Sequence, residues 1–436
     1  MEDFKPALSV VMLGHVDCGK STAVGHLLFQ AGCCSVRVMN KLEEESRDRG
    51  KASFKYAWVT DKTTDERERG ITIQPTEVQL LTQKYALTII DAGGHRDFFR
   101  HTIAGAAQAD CAVLTVAAND GEFECGMVGG TGLTKEHALV AFAIGIKQLI
   151  VLVTKMDAMS TPYSQTRFDS IKGEMGDYLA KVGFKDEDVQ FVPVSGWEGE
   201  NLMSKSTHMP WYEGPTLLEA IDTLIEPKRA IDKPLRLPVQ NVYKIAGVGT
   251  VVTARVETGL LRVGTPLVVG PTNVRGSVFS IESHHRQLTE ASAGTCVGIN
   301  INNVAKNDIK RGFVLSDERH DAARATVEFT AQIVILKHPG LISKGYTPTV
   351  HCHTLHTGCK ITQIVSKLNR LTGEEVEKAP DHVREGDACI VVMEPSTRCV
   401  FEAFREYPLL GRIILRDSHG IVGVGVIRSV KKKDIH

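Results

Sequence analysis

The chain has 436 residues, of which 42% are hydrophobic, so it is long enough for a globular protein of two to four domains. With 51 basic and 52 acidic residues the formal net charge is −1, and charge alone therefore gives no sign of a polyanion partner. No apolar run approaches the roughly 20 residues of a membrane span, and the acidic residues 2 and 3 do not suit a signal peptide. Ten scattered cysteines without a CxxC pair favour reduced thiols and predict a cytoplasmic protein.

Short apolar runs alternate with amphipathic segments over the first half of the chain. This alternation predicts an α/β domain with a doubly wound and mostly parallel sheet over residues 1–230. The predicted strands are residues 8–13, 87–91, 111–117, 148–154 and 189–194. The predicted helices are residues 134–145 and 166–183.

The pattern changes after residues 226–239, whose three prolines predict a linker. From there on, short β-rich runs are punctuated by glycine, and they predict two β-barrels, at residues 235–322 and 325–431. In this half of the chain only the stretch near 363–370 has helical character.

A phosphate-binding loop is predicted at GHVDCGKST, residues 14–22, between the first strand and a helix. It fits G-x-x-x-x-G-K-[ST], in which the glycines turn backbone N–H groups toward phosphates, Lys20 reaches the β- and γ-phosphates and Ser21 ligates Mg²⁺. The helix N-terminus adds partial positive charge. The residues predicted to bind the nucleotide here are Gly14, His15, Val16, Asp17, Cys18, Gly19, Lys20, Ser21 and Thr22.

Two short stretches after later strands are suited to guanine. In TKMD, residues 154–157, Asp157 can accept both the N1–H and the N2–H of guanine, and adenine offers no matching donors. The stem of Lys155 can lie along the purine, and SGW, residues 195–197, can present backbone N–H groups to the guanine oxygen. The predicted base contacts are Thr154, Lys155, Asp157, Ser195, Gly196 and Trp197.

Two further loops supply the groups that phosphoryl transfer needs. DERERGITI, residues 65–73, offers the Thr72 hydroxyl as a second Mg²⁺ ligand, although a solvated charged loop is the alternative. In IIDAGGHRDFF, residues 89–99, Asp91 can hold the metal through water, and the Gly94 amide can face the γ-phosphate. His95 can orient the attacking water, the alternative being a loop histidine without a role. Because this chemistry depends on positioning and electrostatics, we predict catalytic roles for His95, Lys20 and Gly94, and metal binding by Ser21, Thr72 and Asp91.

These motifs, in this order, resemble the eukaryotic elongation factor 1-alpha family of translational GTPases. The resemblance covers nearly the whole chain, including KPLRLPVQNVYKIAGVGTVVTARVETG (233–259) and KHPGLISKGYTPTVHCHTLH (337–356). It implies GTP/GDP and Mg²⁺ as cofactors and delivery of aminoacyl-tRNA to the ribosomal A site, with a nucleotide exchange factor and no membrane. It also implies that Glu290 contacts the terminal adenosine of the tRNA, the alternative being an exposed barrel-loop carboxylate.

The chain departs from that family at several places. Gly93 stands where the family usually has proline, which predicts a softened hinge, and Thr154 stands where it has asparagine. Residues 293–296 replace the usual Pro-Gly-Asp-Asn beside Glu290. The histidine-rich stretch 351–359 lacks a four-ligand zinc spacing.

The near-neutral charge and the altered second domain leave a second hypothesis open. It is a paralogue with a structural role in a cytoskeletal or ciliary assembly, with actin or microtubules as partners. A ribosome-rescue or termination GTPase is a third, less favoured, because the phosphate loop already begins at Gly14.

Overall fold

The structure is a computed structural model that describes residues 5–128, 132–283, 286–370, 372–418 and 420–433. The chain divides into two compact units, Met1–Pro227 and Lys228–His436. Within the described ranges, no helix is both long enough and apolar enough to cross a membrane.

The first unit is built on a six-stranded sheet. Its strands are β1 (Ala7–Gly14), β2 (Thr76–Leu81), β3 (Ala86–Asp91), β4 (Cys111–Ala117), β5 (Leu149–Thr154) and β6 (Val189–Pro193). They lie in the order β2-β3-β1-β4-β5-β6. All neighbours are parallel except the edge pair β2 and β3. The predicted doubly wound, mostly parallel sheet is therefore confirmed.

Helices connect these strands and cover the sheet. They are α1 (Lys20–Gln30), α2 (Val36–Asp48), α3 (Thr64–Arg69), α4 (Phe99–Ala106), α5 (Glu122–Met127), α6 (Thr134–Ile144), α7 (Gln165–Val182) and α8 (Leu217–Thr223). The four central strands are almost wholly buried, as expected of parallel strands covered on both faces. Because parallel strands end at the same edge of the sheet, the loops after β1, β3, β5 and β6 meet there, which is where such sheets bind ligands.

The second unit begins with a closed six-stranded barrel. The strands of this region, six of which form the barrel, are β7 (Leu237–Ile245), β8 (Gly249–Arg255), β9 (Leu260–Arg262), β10 (Pro266–Gly270), β11 (Val274–Ser283), β12 (Arg286–Leu288), β13 (Glu290–Ser292), β14 (Cys296–Asn302) and β15 (Val314–Asp317). The barrel order is β10-β15-β7-β8-β14-β11, and pairing of β10 with β11 closes it. Strand β12 extends the sheet at β11, and β9 pairs with β13.

A second closed barrel of six strands follows. The strands of this region, six of which form the barrel, are β16 (Thr326–Ile335), β17 (Ile342–Ser343), β18 (Thr349–Cys352), β19 (Leu355–Leu368), β20 (Glu375–Lys378), β21 (His382–Val383), β22 (Ala388–Pro395), β23 (Arg412–Asp417) and β24 (Gly420–Lys432). The order is β18-β23-β24-β16-β22-β19, closed by β18 and β19. Two barrels were predicted, and two are present.

The prediction of helical character near 363–370 is wrong, because most of this stretch belongs to strand β19. Ile361, Ile364, Val365 and Leu368 have the spacing of one helix face. In the structure, β19 carries register shifts at 361/363 and 364/366 where it pairs with β22. The first bulge interrupts the alternation of buried positions, so Ile361 and Ile364 are buried three residues apart, as on one helix face. Val365 is only partly buried, and the alternation resumes at Ser366 and Leu368.

A buried ionic network joins the two barrels within the second unit. The guanidinium of Arg236, before β7, lies 2.9 Å from the Glu402 carboxylate and 2.7 Å from Asp321. Tyr407 donates a hydrogen bond of 2.6 Å to Asp321, and its ring lies under the Arg236 guanidinium at 4.2 Å. Arg236 and Glu402 are both fully buried, so each charge has the other as its partner in place of water.

Candidate functional site

The phosphate loop runs from the end of β1 to the start of α1, and its backbone requires glycine. Gly14 has φ 144°, and a Cβ there would lie 2.3 Å from the Thr115 carbonyl oxygen; Gly19 has φ 89°. The Gly14 N–H donates to Nδ1 of His137 at 3.0 Å. Burial, with Lys20 nearby, lowers the pKa of His137 to about 3, so the ring is a neutral acceptor at physiological pH.

Lys20 curls over this loop. Its side chain is buried, and Nζ donates to the carbonyl oxygens of His15 (2.7 Å) and Gly14 (3.1 Å). The ammonium therefore lies at the mouth of the loop, beside the N-terminus of α1, where a phosphate would replace the two carbonyls as its partner.

Four oxygen-bearing side chains converge next to Lys20. The hydroxyls of Ser21 and Thr72 are 3.1 Å apart, and Thr72 donates to Asp61 at 2.8 Å. Burial and the neighbouring Asp91 raise the pKa of Asp61 to about 7. Burial also raises the pKa of Asp91, although the Ser21 hydroxyl is near enough to oppose the shift. The anionic forms of Asp61 and Asp91 are therefore destabilised, and a bound cation would stabilise them.

The donor set suits a magnesium ion that also binds phosphate. Mg²⁺ prefers oxygen ligands and is bound through few protein groups together with phosphates and water. Neither oxygen of the fully buried Asp91 carboxylate accepts a regular hydrogen bond from the part of the chain described. In that same part, no cluster of three or more His, Cys, Asp or Glu residues could hold a metal by itself. Phosphate and water oxygens would therefore complete the coordination.

The loop after β3 closes over the phosphate loop. Gly94 lies so near that a Cβ would be 2.4 Å from Lys20 Nζ and 2.7 Å from the Gly14 carbonyl oxygen. His95 is 37% exposed and its Nδ1 accepts a hydrogen bond from the Asp97 N–H at 3.2 Å. One cavity of about 230 Å³ is lined by the following predicted residues: Val16, Asp17, Gly19, Lys20, Ser21, Thr22, Thr72, Gly94, His95 and Lys155.

The first base loop follows β5 and is tied to the phosphate loop. The buried hydroxyl of Thr154 donates to the Cys18 carbonyl oxygen at 2.6 Å. Lys155 adopts φ 59°, and its Nζ lies 2.6 Å from the Glu122 carboxylate. Oδ1 of Asp157 is buried and finds no hydrogen-bond partner within the described ranges. An unsatisfied buried acceptor at this position matches the N–H donors of guanine.

The second base loop, Ser195 to Trp197, follows β6 and is supported from outside the loop. Nδ1 of His26, on α1, lies 2.9 Å from the Gly196 carbonyl oxygen. The His26 ring stacks on Tyr56 at 3.9 Å, and Tyr56 meets the Trp197 ring edge-on at 5.8 Å. Tyr56 therefore helps to position this loop.

Three family models match successive parts of the chain. Residues 5–227 match the elongation factor Tu GTP binding domain, residues 249–316 match elongation factor Tu domain 2, and residues 328–428 match the GTP-eEF1A C-terminal domain-like family. Elongation factor 1-alpha of Tetrahymena pyriformis is 49% identical over 430 residues, which are 99% of either chain. The chain belongs to the elongation factor 1-alpha family.

Solved structures agree with this fold. The GTPase-like domain of Saccharomyces cerevisiae Ski7 in its GTP-bound form has a TM-score of 0.79 at 19% identity, with 97% of each chain covered. Elongation factor SelB of Methanococcus maripaludis has a TM-score of 0.71 at 20% identity, covering 98% of this chain and 80% of its own. At these identities the likeness shows the fold alone.

Membership of the elongation factor 1-alpha family makes the protein a GTP-hydrolysing translational GTPase that binds guanine nucleotide and acts in elongation. The first unit brings together the residues predicted for phosphate and metal. The base loops lie at the same sheet edge. The sequence interpretation missed Asp61, whose only signal was an acidic residue two positions after the apolar run 56–59.

The remaining predicted site lies in the second unit. Glu290, on β13, is 56% exposed and forms an ion pair of 3.2 Å with Arg262. Its neighbour Gly294 has φ 98° and lies against the Arg229 side chain. In the histidine-rich stretch, Nε2 of His353 pairs with Glu257 at 2.9 Å, which is a structural role.

Proposed function

We propose that this GTPase delivers aminoacyl-tRNA to the ribosomal A site in its GTP form and leaves after hydrolysis. The observation that carries the proposal is that 49% identity to an elongation factor 1-alpha extends through both barrels, over 99% of the chain. The proposal includes the ribosome and a nucleotide exchange factor as partners. It also keeps the predicted domain limits of 1–230, 235–322 and 325–431.

In the proposed site, Lys20 and the N–H groups of the phosphate loop bind the phosphates, while Asp157 selects guanine. Ser21 and Thr72 would hold Mg²⁺ directly and Asp91 through water, and the ion would neutralise phosphate charge. The Gly94 N–H faces the γ-phosphate, and His95 orients the attacking water. The shared cavity and the buried oxygen cluster support these roles.

Two observations favour the structural paralogue as a second candidate. The formal charge of −1 gives no excess of basic residues for phosphate contacts, each of which would add affinity for tRNA. Glu290, the candidate adenosine contact, is already paired with Arg262. A factor that switches with GTP but carries another cargo would have these properties.

Protection of the aminoacyl-tRNA ester from hydrolysis tests the two candidates. We expect the full chain to slow deacylation with GTP and not with GDP, because only the GTP form would hold the ester end. The matched variant is Arg262→Gln, which frees Glu290 and leaves the nucleotide site untouched. No protection by either protein, together with normal GTP binding, would contradict tRNA delivery and support another cargo.

A further inference from the structure

We propose that Gly93 is a positioning residue that couples the loop carrying Gly94 and His95 to the loop carrying Thr72. The proposal rests on the role given to Thr72 above, and not on tRNA delivery. The absence of a side chain at position 93 lets the two loops touch, and this contact sets where the Thr72 hydroxyl lies.

The contact is between backbones. A Cβ built on Gly93 would lie 2.2 Å from the Thr72 carbonyl oxygen and 3.2 Å from its carbonyl carbon, and real Cβ atoms essentially never approach closer than 3.0 Å. Gly93 is not among the residues with positive φ. Glycine is therefore required here by space and not by backbone conformation.

Neither side of the contact is free to move away. The Gly93 carbonyl oxygen accepts a hydrogen bond of 2.5 Å from Thr102, which lies fully buried on α4. On the other side, the N–H groups of Ile73 and Gln74 donate to Glu66 at 3.0 and 3.2 Å. A side chain at position 93 would have to displace one of these bonded segments.

Displacement would reach the phosphate site directly. Thr72 is buried, and its hydroxyl lies within 3.1 Å of both Ser21 and Asp61. Gly94, the next residue after Gly93, lies over Lys20. Thr72 and Gly94 line the same cavity, so a γ-phosphate placed there would meet both loops at once. GDP lacks that phosphate, and its binding depends less on the contact.

This arrangement changes the interpretation of Gly93 as a softened hinge. Glycine raises the entropy of the unbound loop and would by itself weaken its ordering. The close contact with Thr72 and the hydrogen bond from Thr102 oppose that effect. Gly93 therefore orders the two loops together.

The first test is Gly93→Ala, which adds only the Cβ. We expect affinity for a non-hydrolysable GTP analogue with Mg²⁺ to fall by about tenfold or more, and affinity for GDP by less than about threefold. Equal losses for the two nucleotides would show a general structural role and overturn the proposal. No loss for either nucleotide would overturn it as well.

A second pair of variants tests the coupling even if Gly93→Ala folds poorly. Thr102→Val deletes the hydrogen bond to Gly93, and Thr102→Ser keeps its hydroxyl. We expect a selective loss of GTP-analogue affinity in the valine variant and recovery in the serine variant. Equal behaviour of the two variants would overturn the proposal. Gly173→Ala, on α7 with no heavy atom within 4 Å of the new Cβ, is the control for glycine replacement.

Thr72→Val separates this inference from the role proposed for Thr72. A loss of GTP-analogue affinity in Thr72→Val without a loss in Gly93→Ala refutes the coupling alone. Unchanged affinity in both variants refutes the role of Thr72 and the coupling with it. No tRNA is present in these measurements, so failure of the carrier proposal does not affect them.

Discussion

Thr154 bridges the base loop and the phosphate loop with a single hydroxyl. The asparagine usual at this position in the family carries a side-chain amide that threonine lacks. The hydroxyl instead donates to the Cys18 carbonyl oxygen at 2.6 Å, and the Thr154 side chain is buried. A shorter side chain thus still connects the two loops.

Replacing this hydroxyl should weaken binding of both guanine nucleotides. In Thr154→Val the Cys18 carbonyl loses its donor in a buried place, which costs about 1–3 kcal/mol. We expect affinity for GTP and for GDP to fall together by about tenfold, as measured by displacement of a fluorescent nucleotide. Thr154→Ser keeps the hydroxyl and is the control, and a valine variant with full affinity would contradict the bridging role.

For single residues, sequence reasoning predicted those site residues that belong to local motifs. Lys20, Ser21 and Gly94 belong to short patterns with known spacing, and the structure places them around one cavity. Asp61 and the contact of Gly93 were not predictable in this way. Both features depend on how segments that are distant in sequence pack together, and no short stretch of sequence contains that information.

Helix α3 shows how a short element holds the Thr72 loop. Thr63 caps the helix, and its own N–H donates to the Glu66 carboxylate at 3.1 Å, forming a capping box. The same carboxylate accepts from Ile73 and Gln74 beyond the helix. Burial raises the pKa of Glu66, but these donors outweigh it and the net pKa is lowered. The sequence alternative of a solvated charged loop does not describe this segment.

Removing the Glu66 carboxylate should loosen residues 60–75. Glu66→Ala deletes a cap of a kind that contributes about 1 kcal/mol, and it also frees two further N–H groups. We expect trypsin to cleave after Arg67 and Arg69 at least about fivefold faster in the free protein. Glu68→Ala removes an exposed carboxylate of the same helix and is the control. Equal cleavage rates in the two variants would contradict a holding role for Glu66.

Prediction of elements succeeded where periodicity was regular and failed where strands were irregular. Strand β4 was predicted with its observed limits, because seven consecutive apolar or small residues are buried on both faces. Strand β19 was given partial helical character, because its bulges altered the spacing of buried residues. Bulges depend on the partner strand, so no single segment reveals them.

For the molecule as a whole, the ionic network makes the stability of the second unit sensitive to acid. Burial raises the pKa of Asp321, but the Tyr407 hydroxyl and the Arg236 guanidinium lower it by more, so the net pKa is below its usual value. The unfolded chain then binds more protons than the folded chain at low pH. This stabilisation is complete above pH about 4 and is lost as the pH falls through the lower folded pKa.

Asp321→Asn should therefore lower the stability of the second unit at neutral pH, and lower it less in acid. We expect the Tm of the second unit to fall by about 2–6 °C at pH 7 and by less at pH 3, as measured by calorimetry of the full chain. All three tryptophans lie in the first unit, so their fluorescence identifies the transition that should not shift. Asp381→Asn, at an exposed site, is the control. An equal fall in Tm at both pH values would contradict the assigned charge state.

The close approach of Gly93 to Thr72 also limits how this protein can evolve. The proline usual at this position in the family would bring a Cβ into the Thr72 carbonyl oxygen, since the available distance is 2.2 Å. A change of Gly93 to proline would be harmful unless residues near Thr72 shifted as well, and those residues are held by Glu66. Substitutions in the two loops should therefore be accepted in combination and not one at a time.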